Sequence, residues 1–149
     1  MSINQVSNKP YDLIVFGATS FVGQILTRYL VETIGANGDV SWAIASRSAT
    51  KLSSLKDSLG TAASELPVLI ADSHDEASLQ ALCDQTGVII STIGPYALYG
   101  ELLIKACAES GTDYTDLTGE AHWIAQMKDK YNQAAKASGA RIVNCCGFD

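Results

Sequence analysis

Six short apolar runs alternate along this chain with stretches of helical periodicity, and few folds accommodate that alternation. The runs are DLIVFG, VSWAIAS, LPVLIAD, GVIIST, TDYTDL and ARIVNC. Each is apolar on both faces, as strands of a parallel sheet covered by helices must be. Between them, Phe21, Val22, Ile25, Leu26, Tyr29 and Leu30 recur at i, i+4 and i+8 and predict a helix laid on the sheet, with Gly35 or Gly38 to stop it. Leu79, Leu82 and Cys83 repeat the pattern, and Leu98, Leu102, Leu103, Ala106 and Cys107 repeat it again before Gly111. A weaker stripe of Ile124, Met127, Tyr131, Ala134 and Ala135 ends near Gly139. The alternation predicts an α/β fold: a doubly wound, mostly parallel six-stranded sheet. Right-handed crossovers give it the strand order 3-2-1-4-5-6. With these faces turned to the sheet, no long exposed apolar stripe is expected.

The chain's 149 residues suit one domain with a real core, and 47% apolar against 17% charged residues is a globular composition. The polar residues 1–10 read as a flexible tail, and 11–149 as the domain. A net charge of −6 argues against nucleic acid, which requires a basic face. No apolar run is long enough to span a bilayer, and the amino terminus shows no hydrophobic signal segment. Cys83, Cys107, Cys145 and Cys146 have no metal-ligand spacing, so no metal is expected. They read as buried, reduced thiols in a cytoplasmic protein.

The stretch LIVFGATSFVG carries the first functional signal. A Rossmann-like fold delivers its first strand to a glycine turn and a helix N-terminus, where N–H groups and the helix dipole hold a pyrophosphate. Gly17 permits the tight turn and Gly23 close helix packing, while Ser20 takes the middle position, to face a phosphate or to cap the helix. The alternative is a bare strand-to-helix connection; no Gly-Lys-Ser/Thr follows to make a Walker-type loop. The second strand lacks the acid that accepts from an NAD ribose. It presents Ser46, Arg47 and Ser48, with Lys51 one turn on, a set suited to the 2′-phosphate of NADP. The alternative there is a solvated basic helix start. Asp72 either accepts from the adenine amino group or caps the next helix with Ser73 and His74. Thr92, Gly94 and Pro95, after the fourth strand, let backbone pass close to the ribose and nicotinamide half, and Pro95 also suits a helix start.

Together GATSFVG, ASRS, STIGPYALYG, DYTDLTGE and the closing CCGFD resemble the saccharopine dehydrogenase-like oxidoreductases, in the branch that includes the trans-acting enoyl reductases. The resemblance runs from Tyr11 to Asp149. It implies an amino-terminal NADP-binding domain, with contacts at Gly17, Thr19, Ser20, Phe21, Val22, Arg47, Thr92, Gly94 and Pro95. It implies a second domain after GFD, bearing much of a small-molecule substrate site and often a homodimer contact. Ser20 departs from the pattern, since glycine is frequent there among relatives. The substrate is not named by the resemblance.

Hydride transfer needs a positioned substrate and a proton relay, and the candidates here are Tyr96, Tyr99, Asp116, Glu120 and His122. Asp116 and Glu120, four apart beyond a strand, either face the crevice as a proton-sharing pair or serve helix capping. His122 reads as a helix-surface residue. No Tyr-x-x-x-Lys pair is present. Two function classes follow: an NADP-dependent oxidoreductase whose isolated domain lacks turnover, or a dinucleotide-binding redox sensor acting through a partner.

Overall fold

The computed structural model describes residues 8–147; residues 1–7, and Phe148 and Asp149 of the CCGFD stretch, lie outside the described residues. Six parallel strands form one sheet: β1 (Tyr11–Phe16), β2 (Trp42–Ser46), β3 (Val68–Ile70), β4 (Thr86–Ser91), β5 (Asp113–Asp116) and β6 (Ile142–Val143). Their order, β3-β2-β1-β4-β5-β6, is the doubly wound order that the alternation predicts. The helices are α1 (Phe21–Thr33), α2 (Ala49–Leu59), α3 (Glu76–Cys83), α4 (Tyr96–Tyr99), α5 (Glu101–Ser110) and α6 (Ala121–Ser138). A short 3-10 turn (Gly60–Ala63) follows α2. Gly111 and Gly139 end α5 and α6 in the left-handed conformation, where an amide returns to a carbonyl one turn back.

Side-chain alternation along the strands separates two cores. Ile14, Phe16, Ala43, Ala45, Ile89 and Tyr114 face Leu79, Leu103, Trp123 and Met127 from α3, α5 and α6. Val15, Trp42 and Ile44 face Val31 of α1 with Leu52 and Leu55 of α2. The sheet's carboxyl ends therefore lie between two packed layers, with the β1–α1, β2–α2 and β4–α4 turns converging there.

Several sequence expectations need correction. Helix α1 buries Gly23, Thr27 and Val31 against the sheet; of the expected stripe Leu26 and Leu30 pack half-buried beside that core, whereas Phe21, Val22, Ile25 and Tyr29 do not. A Cβ on Gly23 would lie 2.1 Å from the Gly17 carbonyl oxygen, so the bare glycine lets the helix press onto the turn and sets its rotation. Phe21 (81% exposed), Ile25 and Tyr29 consequently face outward, leaving an exposed apolar stripe. Leu98 is also exposed, because Gly100 separates α4 from α5 and interrupts the expected periodicity. Cys83 and Cys107 are buried as expected, 3.7 Å apart at sulfur, but Cys145 and Cys146 are exposed, because β6 ends at Val143 before reaching them. The tail expected over residues 1–10 falls largely outside the described residues. Lys9 within it is anchored, its ammonium donating to the carbonyls of Cys83 and Thr86 at 2.9 and 3.1 Å.

Candidate functional site

Gly17 closes β1 with a φ of +87°, a conformation that favours glycine. Ser20 then caps α1: its Oγ accepts from the Gly23 amide at 3.0 Å and lies 3.1 Å from Thr92 Oγ1. Thr92 in turn donates to the Gly17 carbonyl at 2.8 Å, fastening the glycine turn to the end of β4. The Ser20 hydroxyl thus serves as a cap. The Phe21 and Val22 amides begin the helix, where no intrahelical acceptor exists, and present the positive end of its dipole.

A cleft of 340 Å³ opens over this turn, lined by Gly17, Thr19 and Ser20 from the first loop and by Ser46, Arg47 and Lys51 from the second. Gly94 and Tyr99 close its other end. The β2–α2 turn holds itself: Ser46 Oγ accepts from the Ser48 amide at 3.2 Å, and Ser48 Oγ caps the Lys51 amide at 3.2 Å. With the serines so occupied, Arg47 and Lys51 are the exposed cations at that end of the cleft. Gly94 is exposed and lines the cleft, so its backbone can be approached there, while a Cβ at this position would rest in ordinary contact with the Tyr96 ring at 3.4 Å. An exposed Pro95 follows it through a cis peptide bond and precedes α4. Cations at one end, helix amides in the middle and bare backbone at the other fit an NADP molecule laid across the strand ends.

Asp72 accepts from the His74 amide at 2.9 Å in a local turn, and that bond, with the nearby Arg47 charge, holds its carboxyl below the usual range. It does not cap α3; Asp75 does, accepting from the Ala77 amide. His74 meets Tyr99 edge-on at 5.3 Å between ring centres, joining the turn after β3 to helix α4. Sequence periodicity gave no sign of that pair, because one member lies in the turn after β3 and the other on helix α4.

The candidate acids part company. Asp116 is 0% exposed and accepts from the Tyr114 hydroxyl at 2.7 Å, the Asn144 amide group at 2.8 Å, and the Thr118 and Cys145 backbone amides, each at 3.1 Å. Such saturation makes it an anchor between β5 and the end of β6, not a crevice group. Glu120 sits at the start of α6 but caps α4 instead, its carboxylate accepting from the Tyr96 and Ala97 amides at 2.6 and 3.2 Å. Of the two alternatives for these acids, the proton-sharing pair is absent, and helix capping holds for Glu120, though for α4 and not α6. Tyr96 is buried, donating to the Ser91 carbonyl and accepting from the Leu117 amide, and burial pushes its hydroxyl up to about 12. Burial, with the Asp116 charge, holds Tyr114 well above its ordinary value. His122 is exposed, and Tyr99 alone of these candidates lines the cleft.

Residues 13–143 match the family of the saccharopine dehydrogenase NADP binding domain. The chain belongs to that family. Its cofactor is NADP(H), in keeping with Arg47 and Lys51 at the place where an NAD site carries an acid. A trans-acting enoyl reductase of Mycobacterium ulcerans is 38% identical over 143 residues, covering 96% of this chain and 34% of that protein. A lipid droplet localized protein of Caenorhabditis elegans is 40% identical over 143 residues, covering 93% of this chain and 33% of that protein. The domain thus spans about a third of the length of these relatives. Saccharopine dehydrogenase from Saccharomyces cerevisiae shares the fold with a TM-score of 0.63 at 17% identity, over 91% of this chain and 27% of that one. A Citrobacter triphenylmethane reductase complexed with NADP(H) gives 0.66 at 18% identity, over 89% and 48%. No helix among the described residues is long and apolar enough to cross a membrane.

Proposed function

We propose that this domain holds NADPH for an oxidoreductase that reduces a small molecule bound mainly by polypeptide beyond the domain. The observation that carries the reading is the alignment of the α1 amino terminus, the Arg47–Lys51 cation pair and the open Gly94 backbone along one cleft. Bound NADPH supplies a hydride. Arg47 and Lys51 select the 2′-phosphate, the Phe21 and Val22 amides receive the pyrophosphate, and the Gly94–Pro95 segment passes the ribose and nicotinamide half. Glu120 and Tyr96 hold that segment through α4 and Leu117 without touching the cofactor.

The family match and the enoyl reductase relatives support reduction of an activated double bond as the chemistry. In such a step the hydride adds to one carbon of an α,β-unsaturated acyl group and a proton to its neighbour. No carboxylic acid lines the cleft among the described residues; Tyr99 is the one proton-relay candidate that does, and the donor is either its hydroxyl or a group on the substrate-bearing portion. The test is deuterium transfer. The protein expressed from its native gene, given NADPH deuterated at the transferring position and an enoyl thioester, is expected to give a deuterated, saturated product. The 149-residue chain is expected to bind NADPH and give none. An NADPH-binding native protein that transfers no deuterium to enoyl, carbonyl or imine compounds would remove the reductase reading and favour a sensor.

A further inference from the structure

The sheet is incomplete around β6, and the deficiency has a consistent shape. Strand register aligns Ile44, Val15, Ile90, Thr115 and Val143 across the sheet, so these side chains share one face. Helices α1 and α2 bury the Ile44 and Val15 end of that row. Cover then fails: Ile90 and Thr115 are half-buried and Val143 is 51% exposed. Helix α1, on the same face, bears the outward stripe Phe21, Ile25 and Tyr29. On the opposite face a hollow of 450 Å³ separates α6 from β6, walled by Ile124, Met127, Tyr131, Ala135 and Ile142. Strand β6 pairs with β5 along one edge, and its other edge has no strand among the described residues.

Parallel sheets are stable with both faces covered, and an open apolar edge invites pairing. A half-covered face, a hollow with apolar walls and a polar rim of Lys128, Asn132 and Lys136, and an open edge meet here at a single strand. We infer that this is one docking surface, filled by the protein's own remaining polypeptide: a further strand along β6, with helical cover over Ile90, Thr115 and Val143 and over the α1 stripe. The occupant is argued from length, because the matching segment is only about a third of the relatives. A second copy fits less well. Strand β6 offers two residues for a ladder, and each copy carries a net charge of −6. The inference rests on the reading of this chain as one domain of a longer enzyme.

Hydroxyl-radical footprinting tests it without any cofactor, so its failure is separable from failure of the NADPH reading. Protein expressed from the native gene and the 149-residue chain are oxidised side by side at low concentration. Ile25, Tyr29, Tyr131 and Val143 are expected to oxidise at least ten-fold more slowly in the native protein. Ile70, 54% exposed on the far edge strand, serves as the reference and is expected to be unchanged. Equal rates at the four positions would overturn the inference, as would protection of α1 without Tyr131 and Val143. Protection that appears in the 149-residue chain and grows with its concentration would assign the surface to a second copy and overturn it too.

Discussion

At the scale of single residues the site depends on two kinds of position, those that leave space and those that supply charge. Gly23 leaves space. Its Cβ would strike the Gly17 carbonyl, a backbone atom that cannot swing aside. Gly23→Ala is therefore expected to lower stability by about 1–3 kcal/mol, the range for forced overpacking, as denaturant unfolding would measure. Its NADPH affinity should fall as well, because the α1 amides shift. Tyr96 illustrates a residue with a pH signature. Its folded pKa is raised, so the unfolded chain releases the proton first as pH rises. The stability tied to this hydroxyl is complete below about 10, the ordinary tyrosine value, and is lost as pH climbs toward 12. Tyr96→Phe is expected to cost about 1 kcal/mol at neutral pH, from its lost hydrogen bonds, and to flatten the alkaline fall. Melting curves recorded between pH 8 and 11.5 would show both effects.

At the scale of elements, the short helix α4 depends on a carboxylate from another element. Glu120 satisfies the Tyr96 and Ala97 amides, and Tyr99 at the other end of α4 lines the cleft. Glu120→Ala is expected to destabilise the fold by about 1–2 kcal/mol, as for loss of a helix cap, with a several-fold loss of NADPH affinity. Glu120→Gln, which keeps an acceptor oxygen, should retain most of both. An unchanged affinity in Glu120→Ala would show that α4 holds its place without the cap. Elements were also where the sequence was most and least informative. All six strands and the glycine stops of α5 and α6 were legible, because buried parallel strands and left-handed glycines leave strong local patterns. Helix α2 had no clear stripe, since Leu52 and Leu55 are its buried residues in a serine- and lysine-rich stretch; Ser48 followed by that leucine pair was the available signal. The α1 stripe holds at Leu26 and Leu30 and fails at Phe21, Val22, Ile25 and Tyr29, because amphipathicity assigns all large apolar residues inward, whereas the Gly23 contact fixes the rotation. For Asp116 and Glu120 the sequence left a crevice pair and helix capping both open, because spacing reveals proximity but not which amides a carboxylate reaches.

At the scale of the whole molecule, the cleft lies where the carboxyl ends of the strands meet the helix amino termini. The cleft residues grouped by sequence, Gly17, Thr19, Ser20, Ser46, Arg47, Lys51 and Gly94, do come together, since the doubly wound topology brings the β1, β2 and β4 turns to one edge. Thr92 stands behind that wall, Phe21, Val22 and Pro95 border it, and Asp72 is turned to His74. The measurement that bears most directly on the central claim is calorimetric titration of the unmodified and Arg47→Ala chains with NADPH and NADH. NADPH is expected to bind the unmodified chain more tightly by about 1.5–3 kcal/mol, the scale of hydrogen bonds to a charged group. Added salt should narrow that gap, since the cations are exposed. Arg47→Ala should remove most of it and leave NADH affinity nearly unchanged, as NADH has no 2′-phosphate. Equal affinities for the two cofactors in the unmodified chain, or an Arg47→Ala chain that keeps the full preference, would contradict the account.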